Sequence, residues 1–234
     1  MSQPLHIHED GPRDGQTIFF CSGWRVNQLM MSPITTLYAR KGFHVITATY
    51  PFDVLVPNMH DTKRNLHQLT DLLGTEIAKF SHKNAPVIFG TSLGGYLATM
   101  VANKEPQIKK VILNGVGCDV AETVWGWDKT RPPFNKFKKV LVDVHETLSK
   151  LQIDIYGISP EHNLAKFGEK DVLQFTIEHD EVIPHKFQSA LSPMLEKHTH
   201  SLTVVKNSTG GHIRGCFTNM LNIKAVNKFI NSNT

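Results

Sequence analysis

Strand-like apolar runs alternate with helical patterns along most of this 234-residue chain. Parallel strands need long crossover connections, which helices usually supply, so this alternation favours a mostly parallel sheet with helices on both faces. A shorter run of period two, residues 5–8, predicts an edge strand before the others. We therefore expect residues 1–234 to form one α/β domain around a central sheet. The core runs are residues 17–21, 44–49, 86–89, 111–115, 172–177 and 202–205.

Two helices are expected before the third core run. Ser32 and Pro33 predict an N-cap and a first helical position, and Gly42 predicts the end of that helix. A long amphipathic helix is expected to begin near Asp61 and to cover one face of the sheet.

A Gly-x-Ser-x-Gly pentapeptide, residues 90–94, joins the run 86–89 to a helical pattern. A serine on such a strand-to-helix turn is held tightly, and the flanking glycines are needed where a side chain would collide with neighbouring backbone. We predict that Ser92 is a nucleophile projecting from the end of a buried strand. The backbone N–H of Leu93, at the start of the helix, would then point towards negative charge forming beside Ser92.

A serine hydroxyl becomes a useful nucleophile when a base accepts its proton and a third group orients that base. Asp180 is the favoured acid because it follows the run 172–177 and because Pro184 closes its loop. Other carboxylates also lie near predicted strand ends: Asp119, Glu178 and Glu181.

His212 is the favoured base because it follows the run 202–205 and two glycines that let the backbone bend towards Ser92. We expect it on a loop, before a helical pattern that begins at Phe217. His179 and His185 are the alternatives, and both lie close to Asp180 in sequence.

With a nucleophile elbow, an acid and a histidine in this order, the chain resembles the α/β-hydrolase superfamily over nearly its whole length. Residues 17–118 and 171–231 would form the core of that fold. The resemblance implies a catalytic triad of Ser92, Asp180 and His212. It also implies a second oxyanion-hole N–H from Trp24, in the loop after the first core strand.

Two loops depart from the pattern of the superfamily. Many relatives carry His-Gly where this chain has Ser22-Gly23. Relatives often show an Asp-x-x-Gly-x-Gly turn where this chain has Tyr50-Pro51-Phe52-Asp53. Tyr50 and Phe52 would either line a substrate pocket or pack the end of the strand.

Residues 119–166 do not match the core pattern, and they occupy the position at which α/β-hydrolases insert a cap. We expect this small insertion to be a lid over the active site. Trp125 and Trp127 would either wall an apolar substrate cavity or anchor the lid to the core.

Several other classes of protein are not expected. The net charge of +4 is spread along the chain, and Lys136, Lys138 and Lys139 fit the solvent-exposed face of an amphipathic helix. No nucleic-acid partner is therefore predicted. Phosphate-binding glycine motifs are missing from the sequence. The two His-x-His pairs, at residues 6–8 and 198–200, lack the further ligand of a catalytic metal site. We predict neither a metal nor a cofactor.

The cellular setting is read from the cysteines and from hydropathy. Three widely spaced cysteines without a Cys-x-x-Cys pair indicate reduced thiols rather than a secreted disulfide framework. The sequence shows neither a leader-like segment nor a run long enough to span a bilayer. We therefore expect a cytoplasmic protein.

The resemblance implies a serine esterase, either a carboxylesterase or a thioesterase. Its substrate would be an ester or thioester of a small to medium acyl group, cleaved through an acyl-enzyme. An acyltransferase or a C–C hydrolase would use the same triad. A ligand-binding or scaffold protein that kept the fold without turnover is the alternative from another class. Acyl length, leaving group and oligomeric state stay open.

Overall fold

The computed structural model describes residues 5–80, 85–126, 134–145 and 147–232, apart from the side chain of Phe52. The described residues form a seven-stranded sheet in the order β1-β3-β2-β4-β5-β6-β7. β1 runs antiparallel to β3, and the other neighbours are parallel. The strands are β1 (His6–Asp10), β2 (Thr17–Cys21), β3 (His44–Thr49), β4 (Val87–Thr91), β5 (Lys110–Asn114), β6 (Asp171–Ile177) and β7 (Ser201–Asn207).

Helices connect the strands and cover both faces of the sheet. Short 3₁₀ turns occur at Phe52–Val54 and Pro160–His162. The α-helices in the described ranges are α1 (Gln28–Ala39), α2 (Met59–Ala78), α3 (Leu93–Lys104), α4 (Val120–Trp125), α5 (Phe134–His145), α6 (Leu148–Asp154), α7 (His185–His198), α8 (His212–Met220) and α9 (Ile223–Ile230).

Alternate side chains of the buried strands enter two separate cores. In β2, Ile18 and Phe20 pack with α1, α8 and α9 on one face. Phe19 and Cys21 pack with α2, α3 and α7 on the other face. Because both faces are covered, every residue of β2 is buried, as the continuous apolar run predicted. The predicted parallel sheet is confirmed, and two predicted runs coincide residue for residue with β2 and β3.

The predicted start of α1 is wrong. Asn27 is the N-cap, and its side chain accepts a hydrogen bond from the backbone N–H of Met30. Pro33 therefore lies inside the helix rather than at its first position. Asparagine and serine are nearly equivalent caps, so the choice between Asn27 and Ser32 depends on where the helix packs. Met31 and Ile34 are buried against the sheet, which requires the helix to be formed before Pro33.

The carboxyl ends of the parallel strands gather the candidate functional residues. Ser92 follows β4 directly, Asp180 lies three residues after β6, and His212 lies five residues after β7. Parallel strands bring these ends to one edge of the sheet. The insertion, residues 119–166, lies between β5 and β6 and contributes α4, α5 and α6 to the same edge.

Candidate active site

Ser92 occupies the turn between β4 and α3 in a strained backbone conformation, with φ of 53° and ψ of −121°. A non-glycine residue in this region costs on the order of 1–3 kcal/mol, which the surrounding packing must offset. The packing is close because a Cβ atom on Gly94 would overlap the carbonyl oxygens of Cys21 and Ser22. Gly94, two residues after Ser92, thus lets α3 begin directly against the end of β2.

His212 lies beside Ser92, with its Nε2 atom 2.9 Å from the serine Oγ. The expectation that His212 stands on a loop is wrong, because α8 begins at His212 itself. Gly211 precedes it with a positive φ of 81°, a conformation that favours glycine. The backbone N–H of His212 donates to Glu181 Oε2 at 2.9 Å. The first turn of the helix is therefore tied to the loop that carries Asp180.

Asp180 accepts a hydrogen bond from the second imidazole nitrogen, with 2.7 Å between His212 Nδ1 and Asp180 Oδ2. The other carboxylate oxygen accepts the backbone N–H groups of Val182 at 2.8 Å and Ile183 at 2.7 Å. The Asp180 side chain is fully buried, so these donors replace the water that a carboxylate would otherwise bind. Ser92, His212 and Asp180 thus lie in one hydrogen-bonded chain.

Gln188 completes the surroundings of Asp180, and sequence reasoning missed it. Its side-chain amide donates to Asp180 Oδ2 at 2.9 Å and to the carbonyl of Ile183 at 2.6 Å. Its side-chain oxygen accepts the backbone N–H of Ile177 at 2.9 Å. A glutamine on an amphipathic helix reads as a solvated residue, and only its complete burial in the fold distinguishes it.

The alternative acids and bases have other partners. Asp119 is the N-cap of α4 and also accepts a hydrogen bond from Gln152 at 3.0 Å. His185 pairs with Ser189 one helical turn later. Glu178 and His179 are exposed at the end of β6. Among the described residues, none of these four is hydrogen-bonded to Ser92 or His212, whereas Asp180 and His212 form the chain above.

The charge on His212 is set by opposing influences. Burial disfavours the imidazolium and by itself lowers the pKa of His212, but the Cys216 sulfur and the Asp180 carboxylate act in the opposite direction and prevail. The pKa of His212 therefore stands well above its ordinary value of 6.5. Cys216 lies one turn further along α8, with its Sγ 4.0 Å from His212 Nε2. No sequence motif pointed to this cysteine.

The loop at residues 22–24 passes directly over Ser92. A Cβ atom on Gly23 would lie 3.6 Å from the Ser92 Cβ, which is van der Waals contact. Ser22 fixes the loop by donating from its hydroxyl to the carbonyl of Ala48 at 2.9 Å, and the hydroxyl of Tyr50 donates to the carbonyl of Ser22. Trp24 and Leu93, the two predicted oxyanion-hole residues, thus flank Ser92 from the loop and from the first turn of α3.

Two apolar cavities open beside Ser92. The first, here the insertion cavity, holds about 670 Å³ of empty space, including its open mouth. Its walls come largely from α4, α5, α6 and α2. The second, here the histidine cavity, holds about 810 Å³ on the same measure and is walled by α1 and α8. Trp24, Ser92 and Phe134 line both cavities.

Solved structures similar to this one come from several enzymes. A 2,6-dihydroxy-pseudo-oxynicotine hydrolase shares 17% identity, with a TM-score of 0.67 over 97% of this chain and 64% of the other chain. An esterase from Exiguobacterium antarcticum shares 15% identity, with a TM-score of 0.60 over 97% of this chain and 96% of the other. A puromycin-hydrolyzing peptidase from Mycobacterium tuberculosis shares 14% identity, with a TM-score of 0.71 over 97% of this chain and 37% of the other.

This chain has the α/β-hydrolase fold. It spans less than two thirds of the length of the pseudo-oxynicotine hydrolase and of the peptidase. No protein-family model matches the chain, and no curated protein matches it by sequence. The likeness is therefore one of architecture.

Within this α/β-hydrolase fold, two of the four candidate pocket residues take the packing role that the sequence left open. Tyr50 is buried and anchors the loop at residues 22–24, and Trp125 packs against the core. Neither is among the described residues that line the two cavities. The side chain of Phe52 and all of Trp127 lie outside the described residues. The aromatic walls come instead from Trp24, Phe134 and Phe137, with Trp24 and Phe134 ring centroids 5.7 Å apart.

The residues that the structure describes contain no cluster of three or more histidine, cysteine, aspartate or glutamate side chains arranged to hold a metal ion. None of their helices combines the length and the hydropathy that crossing a bilayer requires.

Proposed function

We propose that this protein is a serine hydrolase that cleaves a carboxylic ester or thioester through an acyl-enzyme. The observation that carries the proposal is the continuous hydrogen-bonded chain from Ser92 Oγ through His212 to Asp180, at the junction of two apolar cavities. The strained backbone at Ser92 supports it, because strain of this kind is kept where geometry serves chemistry.

In the first half of the reaction, Ser92 Oγ attacks the substrate carbonyl carbon while its proton passes to His212 Nε2. Asp180 keeps the imidazole in the tautomer that presents an unprotonated Nε2, and it stabilises the imidazolium that forms. The backbone N–H groups of Leu93 and Trp24 stabilise the oxyanion, each by about 3–4 kcal/mol. The bond to the leaving group then breaks, and His212 returns the proton to the departing oxygen or sulfur.

In the second half, water attacks the acyl-Ser92 carbonyl and gives a proton to His212. Collapse of the tetrahedral intermediate releases the carboxylic acid and returns the proton to Ser92. The insertion at residues 119–166 acts as a lid, since it supplies much of the apolar wall and excludes water from the acyl group.

The test is covalent labelling with a fluorophosphonate probe, together with turnover of p-nitrophenyl butyrate and of the matching butyryl thioester. We expect labelling and turnover in the wild type and neither in Ser92→Ala. Ser149→Ala, an exposed serine on α6, is the matched control and should behave as the wild type. Folded wild-type protein that stays unlabelled, or equal labelling of Ser92→Ala, would contradict the proposal. Binding without turnover would instead favour a ligand-binding protein.

A further inference from the structure

The two cavities beside Ser92 differ in which catalytic groups they reach. Leu93, the oxyanion donor on α3, lines the insertion cavity and is not among the described residues lining the histidine cavity. His212 lines the histidine cavity and is not among the described residues lining the insertion cavity. Ser92 and Trp24 line both, so the reacting carbonyl would sit at the point where the cavities meet.

A carbonyl carbon held at this junction has two substituents, and each must enter a different cavity. The leaving-group atom has to come within hydrogen-bond reach of His212 Nε2, because that nitrogen returns the proton. Only the histidine cavity brings a substituent past His212. The acyl chain makes no proton transfer and needs only an apolar wall.

We propose that the insertion cavity binds the acyl group and the histidine cavity binds the leaving group. This assignment rests on the proposed function and adds a substrate class to it. The substrate is an ester or thioester whose acyl group is uncharged and apolar.

The linings support this class. The described residues that wall the insertion cavity carry no charged side chain, so an acyl chain with a carboxylate or an ammonium group would be buried without a partner. In the histidine cavity the ionisable lining residues are His212, Arg25 and Cys216, while five methionine and phenylalanine side chains cover much of the wall: Met30, Met31, Phe134, Phe217 and Met220. Methionine adapts to irregular apolar groups, so this cavity tolerates varied leaving groups.

The experiment uses one tryptophan per cavity at partly exposed positions, where the change is most easily accommodated. Leu55→Trp narrows the insertion cavity, and Met30→Trp narrows the histidine cavity. Leu72→Trp, exposed on α2, is the matched control outside both cavities. Val120→Trp replaces Leu55→Trp if thermal unfolding shows that the latter is not folded.

Two substrate series separate the two sides of the ester. p-Nitrophenyl esters from acetate to decanoate vary the acyl group, and alkyl acetates from methyl to octyl vary the leaving group. In the wild type, kcat/KM should rise about fourfold with each buried methylene until a cavity is full. Leu55→Trp should lower the decanoate-to-acetate ratio of kcat/KM about tenfold and leave kcat/KM across the alkyl acetates unchanged. Met30→Trp should lower the octyl-to-methyl ratio of kcat/KM about tenfold and leave the acyl series unchanged.

The outcomes distinguish the two proposals. The cavity assignment is overturned if Leu55→Trp alters the alcohol series and Met30→Trp the acyl series, or if neither variant changes the chain-length preference. In either case, turnover of the esters would still support the proposed hydrolase function. Wild-type preference for charged acyl groups overturns the substrate class. Absence of Ser92 labelling and turnover in the wild type is the separate failure of the proposed function.

Discussion

The sheet carries a hydroxyl–imidazole–carboxylate chain at each end, and only one of them has the surroundings of an active site. At the carboxyl end lie Ser92, His212 and Asp180. At the amino end, Thr17 Oγ1 lies 3.2 Å from His44 Nδ1, and His44 Nε2 lies 3.0 Å from Glu9 Oε1. The distances resemble those of the first chain, so the order of atoms alone does not make a catalyst.

The difference lies in the backbone and in the neighbouring space. Thr17 is a paired residue of β2, in register with His44 of β3, whereas Ser92 stands on a strained turn outside the ladder. Glu9 belongs to the edge strand β1, is about one third exposed, and also pairs with Arg13 at 2.7 Å. Charged side chains of Glu9, Arg13 and Lys79 line the hollow beside Thr17, whereas the described lining of the insertion cavity carries no charge. We conclude that the amino-end chain holds the edge strand on the sheet.

The largest expected effect is the contrast between the two histidines. His212→Ala should lower kcat on the order of 10⁶-fold, because serine and base act as one unit. His44→Ala should leave kcat of the folded enzyme near wild type. It should lower the free energy of unfolding by about 1–3 kcal/mol, because the buried Thr17 hydroxyl loses its partner. Steady-state kinetics and chemical denaturation measure both quantities, and a rate loss of hundreds-fold in His44→Ala would break the comparison.

A smaller effect is expected from Gly94→Ala, at the glycine two residues after Ser92. The new methyl group of Gly94→Ala would meet the carbonyls of Cys21 and Ser22 and displace the loop at residues 22–24 from Ser92. Losing one oxyanion donor in this way should reduce kcat about 10²- to 10³-fold. Gly168→Ala is the control, since a Cβ there meets nothing within 4 Å. Equal rates for the two variants would show that the loop contributes nothing to the transition state.

The smallest effect concerns pH. His212 must be neutral to act as a base, so kcat/KM should rise with pH, with its midpoint above the ordinary histidine range because the pKa of His212 is raised. Cys216→Ala removes one of the causes that raise this pKa and should move the midpoint to lower pH, while Cys118→Ala should leave it in place. A midpoint that does not move in Cys216→Ala would show that Asp180 alone maintains the raised pKa.

Stability at the two ends should depend on pH in opposite directions. The raised pKa of His212 contributes stability that is complete below the pKa of the unfolded chain and is lost as pH rises through the folded pKa. The pKa of Glu9 is lowered, first of all by its hydrogen bond to His44, so its contribution is present above the unfolded value and is lost as pH falls through the folded pKa. Since Glu9 is partly exposed, solvent screening limits its contribution to below about 1 kcal/mol.

Sequence reasoning was most successful where a pattern is local. The runs at 17–21 and 44–49 are buried on both faces, and their apolar and β-branched residues mark them as strands. The pentapeptide at residues 90–94 carries the steric requirements of its own turn, because its glycines are fixed by immediate neighbours. Sequence reasoning failed where two local choices have similar free energies, as with the caps Asn27 and Ser32. It also failed at α8, which begins at His212, directly after Gly211 and five residues earlier than periodicity indicated.

By itself, then, the sequence determined a parallel α/β sheet and the strand-to-helix turn that presents Ser92, since both depend on residues adjacent in the chain. Only the tertiary structure decided that His212 lies within hydrogen-bond distance of both Ser92 and Asp180, that Gln188 contacts Asp180, and that Cys216 lies beside His212. It also decided that Tyr50 anchors a loop while Phe134 and Phe137 line a cavity. The physical reason is that these contacts join segments up to 120 residues apart, and their distances are set by how helices pack on the sheet.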